Sequence, residues 1–229
     1  KLARYYTGRP DVFAFHGAYH GRTYGSMNAT TNPLHRYHQG QPFGLGMVHV
    51  PYPYCYRCPF GKEYGDCNLQ CMSYIEEHFR NPLYGERWVD GDVNHVAAIL
   101  AESMLGAGGY IVPPKEFLPE LRRIADEYRV LLILDEIQVG FGRTGKWWAC
   151  QHYDVEPDIM TISKSLGGGL PMSATISKAE IQDYVGPGFH CTTFAGYPLA
   201  CAAALATIRV MKEERLLEHA ASVGDYFLS

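Results

Sequence analysis

Ile159-Met160-Thr161-Ile162-Ser163-Lys164-Ser165-Leu166-Gly167-Gly168-Gly169-Leu170-Pro171 joins a short apolar run to a lysine and then to three consecutive glycines. An ammonium at the end of a buried strand is desolvated, which lowers its pKa and leaves a free amine able to attack a carbonyl carbon. The plain alternative is a lysine whose stem lies on apolar surface with its head in water. Glycines without Cβ atoms let another group approach the backbone closely. Upstream, Leu131-Leu132-Ile133-Leu134-Asp135-Glu136-Ile137-Gln138 ends a second apolar run on two carboxylates. Lys164 follows Asp135 by 29 residues. A connection of that length suits two neighbouring parallel strands and would bring both groups to the carboxyl edge, where open α/β sheets bind ligands.

Working outward, strands are expected at residues 11–15, 47–50, 96–101 (ending at Glu102), 159–162 and 174–176. Helices are expected near 72–79 and at 198–211, and over 117–128, where Phe117, Leu118, Leu121, Ile124, Ala125 and Tyr128 recur at helical spacing. Residues 51–69 read as an irregular loop. This alternation predicts an α/β fold with a mostly parallel sheet flanked by helices. No repeat or linker divides the chain. Gly140-Phe141-Gly142-Arg143-Thr144-Gly145 has the glycine spacing of a dinucleotide site, but the strand at Ile159 leaves little room for the long helix such a site needs. Gly145-Lys146 is followed by Trp147, which has no hydroxyl for magnesium, so a phosphate-binding loop of the NTPase kind is excluded.

The chain has 229 residues, 47% hydrophobic, enough for a substantial core. Its 20 basic and 24 acidic residues leave a net charge of −4, so nothing points to nucleic acid or an anionic membrane surface. No apolar run is long enough to span a bilayer and no signal-peptide pattern opens the sequence, so a soluble cytoplasmic protein is expected. Seven cysteines include Cys55, Cys58, Cys67 and Cys71, spaced Cys-x2-Cys-x8-Cys-x3-Cys. Four thiolates in two close pairs satisfy tetrahedral zinc, although the internal gap is short for a zinc ribbon. Disulfides and plain packing are the alternatives.

A lysine amine together with a strand-end carboxylate suggests pyridoxal phosphate, held on the lysine as a Schiff base while the carboxylate keeps the pyridine nitrogen protonated. Four ordered segments carry a resemblance: 15–23 (FHGAYHGRT), 134–145 (LDEIQVGFGRTG), 163–171 (SKSLGGGLP) and 193–198 (TFAGYP). On these, the sequence resembles the class III (omega-type) aminotransferases, a branch of the fold-type I pyridoxal-phosphate enzymes.

The resemblance implies that residues 1–229 are the cofactor-binding large domain of a longer enzyme. The family's phosphate loop would precede Lys1, and the C-terminal small domain with its carboxylate-binding arginine would follow Ser229. It implies Lys164 as the catalytic lysine, Asp135 as the partner of the ring nitrogen and Gln138 as a donor to the ring phenolic oxygen. Glu136, on the opposite face from Asp135, is expected to be held by structural hydrogen bonds. Tyr19 matches the aromatic stacked on the ring, and Thr193 the threonine that reaches the partner subunit's phosphate, so a homodimer with shared sites is expected. Glu102 falls at an acidic position on the substrate side. The sequence departs from the family there, with Ser103 where many members have proline, and at Tyr197, where asparagine is more frequent. The implied activity moves an amino group from an amine or omega-amino acid to a keto acid such as pyruvate or 2-oxoglutarate. Racemases, decarboxylases and phospho-lyases share these residues. A non-catalytic metal-binding module built on the four cysteines is the reading from a different class.

Overall fold

The computed structural model describes residues 1–32, 46–81, 83 and 95–229. They divide into two compact units, residues 1–133 and 134–229. The division falls inside a strand, β4 (Leu131–Asp135), and not in a linker.

In the first unit, β1 (Asp11–Phe15) lies between β2 (Met47–Val50) and β3 (Val96–Glu102) and runs parallel to both. Phe13 stands opposite Val48 on one side and Ile99 on the other. Val12 to Phe15 and Val96 to Ile99 are buried without alternation, as expected of parallel strands covered on both faces. β3 runs one residue further than its apolar stretch, so Glu102 belongs to the strand.

Two helices cover this sheet: α3 (Gln70–Arg80) and α4 (Phe117–Glu127) follow the shorter α1 (Leu2–Thr7) and α2 (Tyr24–Ala29). The helical spacing read from Phe117 onward holds, because Phe117, Leu118, Leu121, Ile124 and Ala125 are all buried. Phe13 meets Phe79 at 5.2 Å and Phe15 meets Phe117 at 5.4 Å between ring centres, so an aromatic layer joins strand to helix. Each such buried ring stabilises by about 1.5–3 kcal/mol relative to exposure. Arg123 on α4 pairs with Glu76 on α3 as well as Glu120 and Glu127, with Glu76 nearly buried beneath it.

In the second unit, β5 (Ile159–Ile162) pairs antiparallel with β6 (Ala174–Ser177), Ile159 opposite Ser177. Pairing in the chain is thus mixed and mostly parallel, as the sequence suggests. After the short α5 (Ala179–Asp183) come α6 (Pro198–Glu213) and α7 (Leu216–Leu228), separated by Arg215 at φ +53°. The expected helix from Pro198 is found and extends two residues past Met211. Its buried positions include Ala200 and Ala204, small enough for the turn that carries Lys164 to pack directly against α6.

Candidate active site

Lys164 stands just beyond β5, at φ +44°, where a lysine is strained. A single 3-10 turn, Lys164–Gly167, follows. Gly168 at φ +55° and Gly169 at φ +109° reverse the chain, and Ser163 Oγ donates to the Met172 carbonyl at 2.7 Å to close the loop. Such backbone strain persists only where its surroundings enforce it, and it clusters at functional sites. One expectation needs correction. Lys164 was expected to be desolvated at a buried strand end, yet its side chain is exposed in this chain. The strand stops at Ile162, and the lysine stands on the turn beyond, so the burial of β5 does not extend to the amine. Its Nζ donates a hydrogen bond to the side-chain oxygen of Gln138.

Asp135 ends β4 and is 7% exposed. Its Oδ1 accepts the Ile137 amide at 3.1 Å. Glu136 is 1% exposed and faces the other way. Its two oxygens accept the amides of Ala149 and Cys150, each at 2.9 Å, and its own amide donates to the Thr161 carbonyl at 3.0 Å. The structural role expected for Glu136 is therefore seen in the geometry. The last of these bonds sets the end of β4 beside β5, the arrangement inferred from the spacing of Asp135 and Lys164. Burial, with the Glu136 carboxylate as the next cause, pushes the Cys150 thiol up to about 12.

The glycine loop at Gly140–Gly145 continues into a 3-10 turn at Ala149–His152 and not into a long helix, which removes the dinucleotide reading. Arg143 reaches from this loop toward the lysine turn, with Nη2 3.4 Å from Ser165 Oγ. Sequence reasoning gave no role to that arginine, and an exposed arginine among glycines offers no local pattern from which to find one.

Tyr19 and Glu102 form a separate group in the first unit. Glu102, 4% exposed, accepts the Tyr19 amide at 2.8 Å with one oxygen and the Gly106 amide at 2.8 Å with the other. The carboxylate expected to face substrate thus spends both oxygens on loop backbone. The same loop is held by Thr30 and Thr31, whose hydroxyls accept the amides of His20 (2.9 Å) and Gly17 (2.6 Å). Tyr19 itself is half-buried. Thr193 lies exposed in the turn that leads into α6. In the second unit, a groove of about 1010 Å³ bordered by Trp148, Asp158, Met160 and Met211 does not include Lys164.

What the second unit brings together is an accessible amine, its amide acceptor and a buried carboxylate at the neighbouring strand end. Such a set suits carbonyl capture by the amine and pairing of the carboxylate with a cationic ring nitrogen. The family model for aminotransferase class III matches residues 1–229. The chain belongs to the class III aminotransferase family.

Among relatives of this class III chain, a leucine/methionine racemase of Thermococcus litoralis is 45% identical over 228 residues, covering 99% of this chain and 49% of its own length. A diaminobutyrate–2-oxoglutarate aminotransferase of Rhizobium meliloti is 39% identical over 224 residues, covering 98% and 46%. Among solved structures, an amine transaminase from an uncultivated Pseudomonas species, in a PLP-bound form, superposes with a TM-score of 0.86 at 33% identity, covering 98% and 52%. The chain spans about half the length of the curated relatives it matches. The fold is that of the fold-type I transaminases. Among the described residues, no helix is long and apolar enough to cross a membrane.

Proposed function

We propose that the class III chain is the large-domain part of a cytoplasmic, homodimeric, pyridoxal-phosphate-dependent aminotransferase acting between an amine or omega-amino acid and a keto acid. The observation that carries this is the Lys164–Gln138 contact on a strained turn, in a unit where β4 ends on buried Asp135. The donor set fits the cofactor: an amine for its carbonyl, a carboxylate for its ring nitrogen and an amide for its phenolic oxygen. When bound, the cofactor supplies an electron sink for a carbanion at the substrate's amine-bearing carbon.

In this reading Lys164 Nζ would hold the cofactor and, once the substrate amine has displaced it, would carry the proton from the substrate carbon to the carbonyl-derived carbon of the cofactor. The exposure of the amine gives it the reach for both duties. Asp135 supplies the negative charge that keeps the ring nitrogen protonated, and Gln138 orients Nζ. By resemblance, Tyr19 is the ring-stacking aromatic, worth about 0.5–1.5 kcal/mol beyond area burial. Glu102 holds the Tyr19 loop through its backbone, and Thr193 serves the phosphate of the partner's cofactor.

The racemase relative at 45% identity favours a second reading, in which the proton returns to the opposite face of the same carbon. The full-length protein separates the two. Visible absorbance on adding pyridoxal phosphate, lost in Lys164→Ala, together with amino transfer to pyruvate or 2-oxoglutarate, supports the transaminase. Inversion of leucine or methionine without any keto acid supports the racemase. Absence of the absorbance in the folded wild-type protein overturns both.

A further inference from the structure

The four clustered cysteines take no part in the chemistry just described. They lie in the first unit, where Cys55 opens a 3-10 turn (Cys55–Arg57), Cys58 ends it, Cys67 precedes α3 and Cys71 sits in the first turn of α3. All four line one small cavity of about 20 Å³ together with Lys62 and Tyr64. A space of that volume holds about one atom-sized occupant.

The backbone beside these cysteines is strained. Between Cys67 and Cys71, Asn68 and Leu69 take φ values of +45° and +50°. For a bulky side chain such as leucine this conformation is a genuine outlier, of the kind that gathers at ligand clamps. Tyr64 fixes the loop to the start of α4 by donating to Glu116 Oε2 at 2.9 Å. The four thus border one space as two pairs close in sequence, Cys55 with Cys58 and Cys67 with Cys71.

We propose that Cys55, Cys58, Cys67 and Cys71 form a tetrathiolate site for a structural zinc ion, built into the loop between β2 and α3. The sulfurs are free thiols, and among the described residues no three ligating side chains are already gathered around a point. Binding therefore draws the two pairs together, Cys55 and Cys58 turning on their short 3-10 segment toward the fixed end of α3. Four S–H groups release their protons to water and four Zn–S bonds of about 2.3 Å form in tetrahedral arrangement. The resulting complex carries two negative charges, and Lys62 on the cavity wall offsets part of them. Closing a loop without regular strands in this way matches what structural zinc does in small ribbons. No step of the proposed transamination enters this inference.

The test is made on the full-length protein, expressed with added zinc and purified without chelators, and it reads metal content and thiol count instead of activity. About one zinc per chain is expected, with four thiols becoming titratable as a mercurial releases it. Cys58→Ser and Cys67→Ser should each lower bound zinc at least about tenfold, while Cys191→Ser leaves it unchanged. Wild-type protein with less than about a tenth of an equivalent of zinc overturns the proposal. The same holds whether these four thiols then titrate freely or the mass shows the two-hydrogen deficit of each disulfide. Retention of zinc by both serine variants overturns it equally.

Discussion

The ammonium of Lys164 donates to the side-chain oxygen of Gln138, a residue 26 positions earlier in the chain and three past the end of β4. The contact holds the amine over the neighbouring strand end and limits its rotamers. Replacing Gln138 with leucine removes the acceptor at nearly constant volume. Hydrogen bonds to charged groups contribute about 1.5–3 kcal/mol, so cofactor affinity in the full-length protein should fall by roughly tenfold or more. Equilibrium titration of pyridoxal phosphate checks this, and unchanged affinity would show the contact to be incidental.

Gly168 faces α6 so closely that a Cβ there would run into Thr207 Oγ1. Its φ of +55° adds a second cost for any L side chain. Gly168→Ala should therefore destabilise by more than the roughly 1–2 kcal/mol of the left-handed conformation alone. Combining it with Thr207→Ala should recover the contact part and leave the backbone part. Denaturant unfolding of the four proteins in the double-mutant cycle measures the split.

Glu136 satisfies two buried amides at once, those of Ala149 and Cys150. Glutamine turns one acceptor into a donor facing a donor. Glu136→Gln should cost about 1–3 kcal/mol in chemical denaturation, since one buried N–H loses its partner. The same change removes a negative charge beside Cys150, so the thiol titrates lower than in the parent.

Cys150 gives the pH dependence. Its thiol is raised from 9.0 to about 12, so the folded state keeps a proton that the unfolded chain releases near its ordinary value. The associated stabilisation is whole below about pH 9 and is lost as the pH climbs towards 12. Cys150→Ala should flatten this part of the stability curve between pH 9 and 12. At pH 8 the thiolate population at Cys150 is about a thousandfold below that of a free cysteine, so alkylation mapped by mass spectrometry should leave it unmodified.

Glu102→Ala leaves the amides of Tyr19 and Gly106 without their acceptor. Hydrogen exchange at Tyr19 should quicken by about tenfold or more, corresponding to the loss of a buried charge-assisted bond. Exchange at the parent rate would show that the threonines alone hold the loop.

The sheet strands and the lysine turn were legible because each announces itself locally. Apolar runs of four to seven residues end at charged or glycine-rich text, and the helix from Phe117 shows its buried face as a 3.6-residue period. α7 gave no such signal: none of its residues is buried in this chain, and Val223, Tyr226 and Phe227 are exposed, so no core imposes a pattern on them. The orientation of Glu102 was also beyond local reading, since one of the two amides that claim it lies 83 positions away. Thr30 and Thr31 act through single hydroxyls, which leave no periodic trace. The exposure of the Lys164 amine leaves no local trace either, because β5 stops at Ile162 and its burial ends before the turn that carries the lysine.

The central place of β1 in the first unit has a consequence for biosynthesis. β1 ends at Phe15, but one of its two flanking strands starts only at Val96. A ribosome adding about 5–20 residues per second needs several seconds to deliver that neighbour. Throughout that interval the nascent chain presents an apolar strand with at least one unpaired edge. A chaperone that shields apolar strand edges would act in that window.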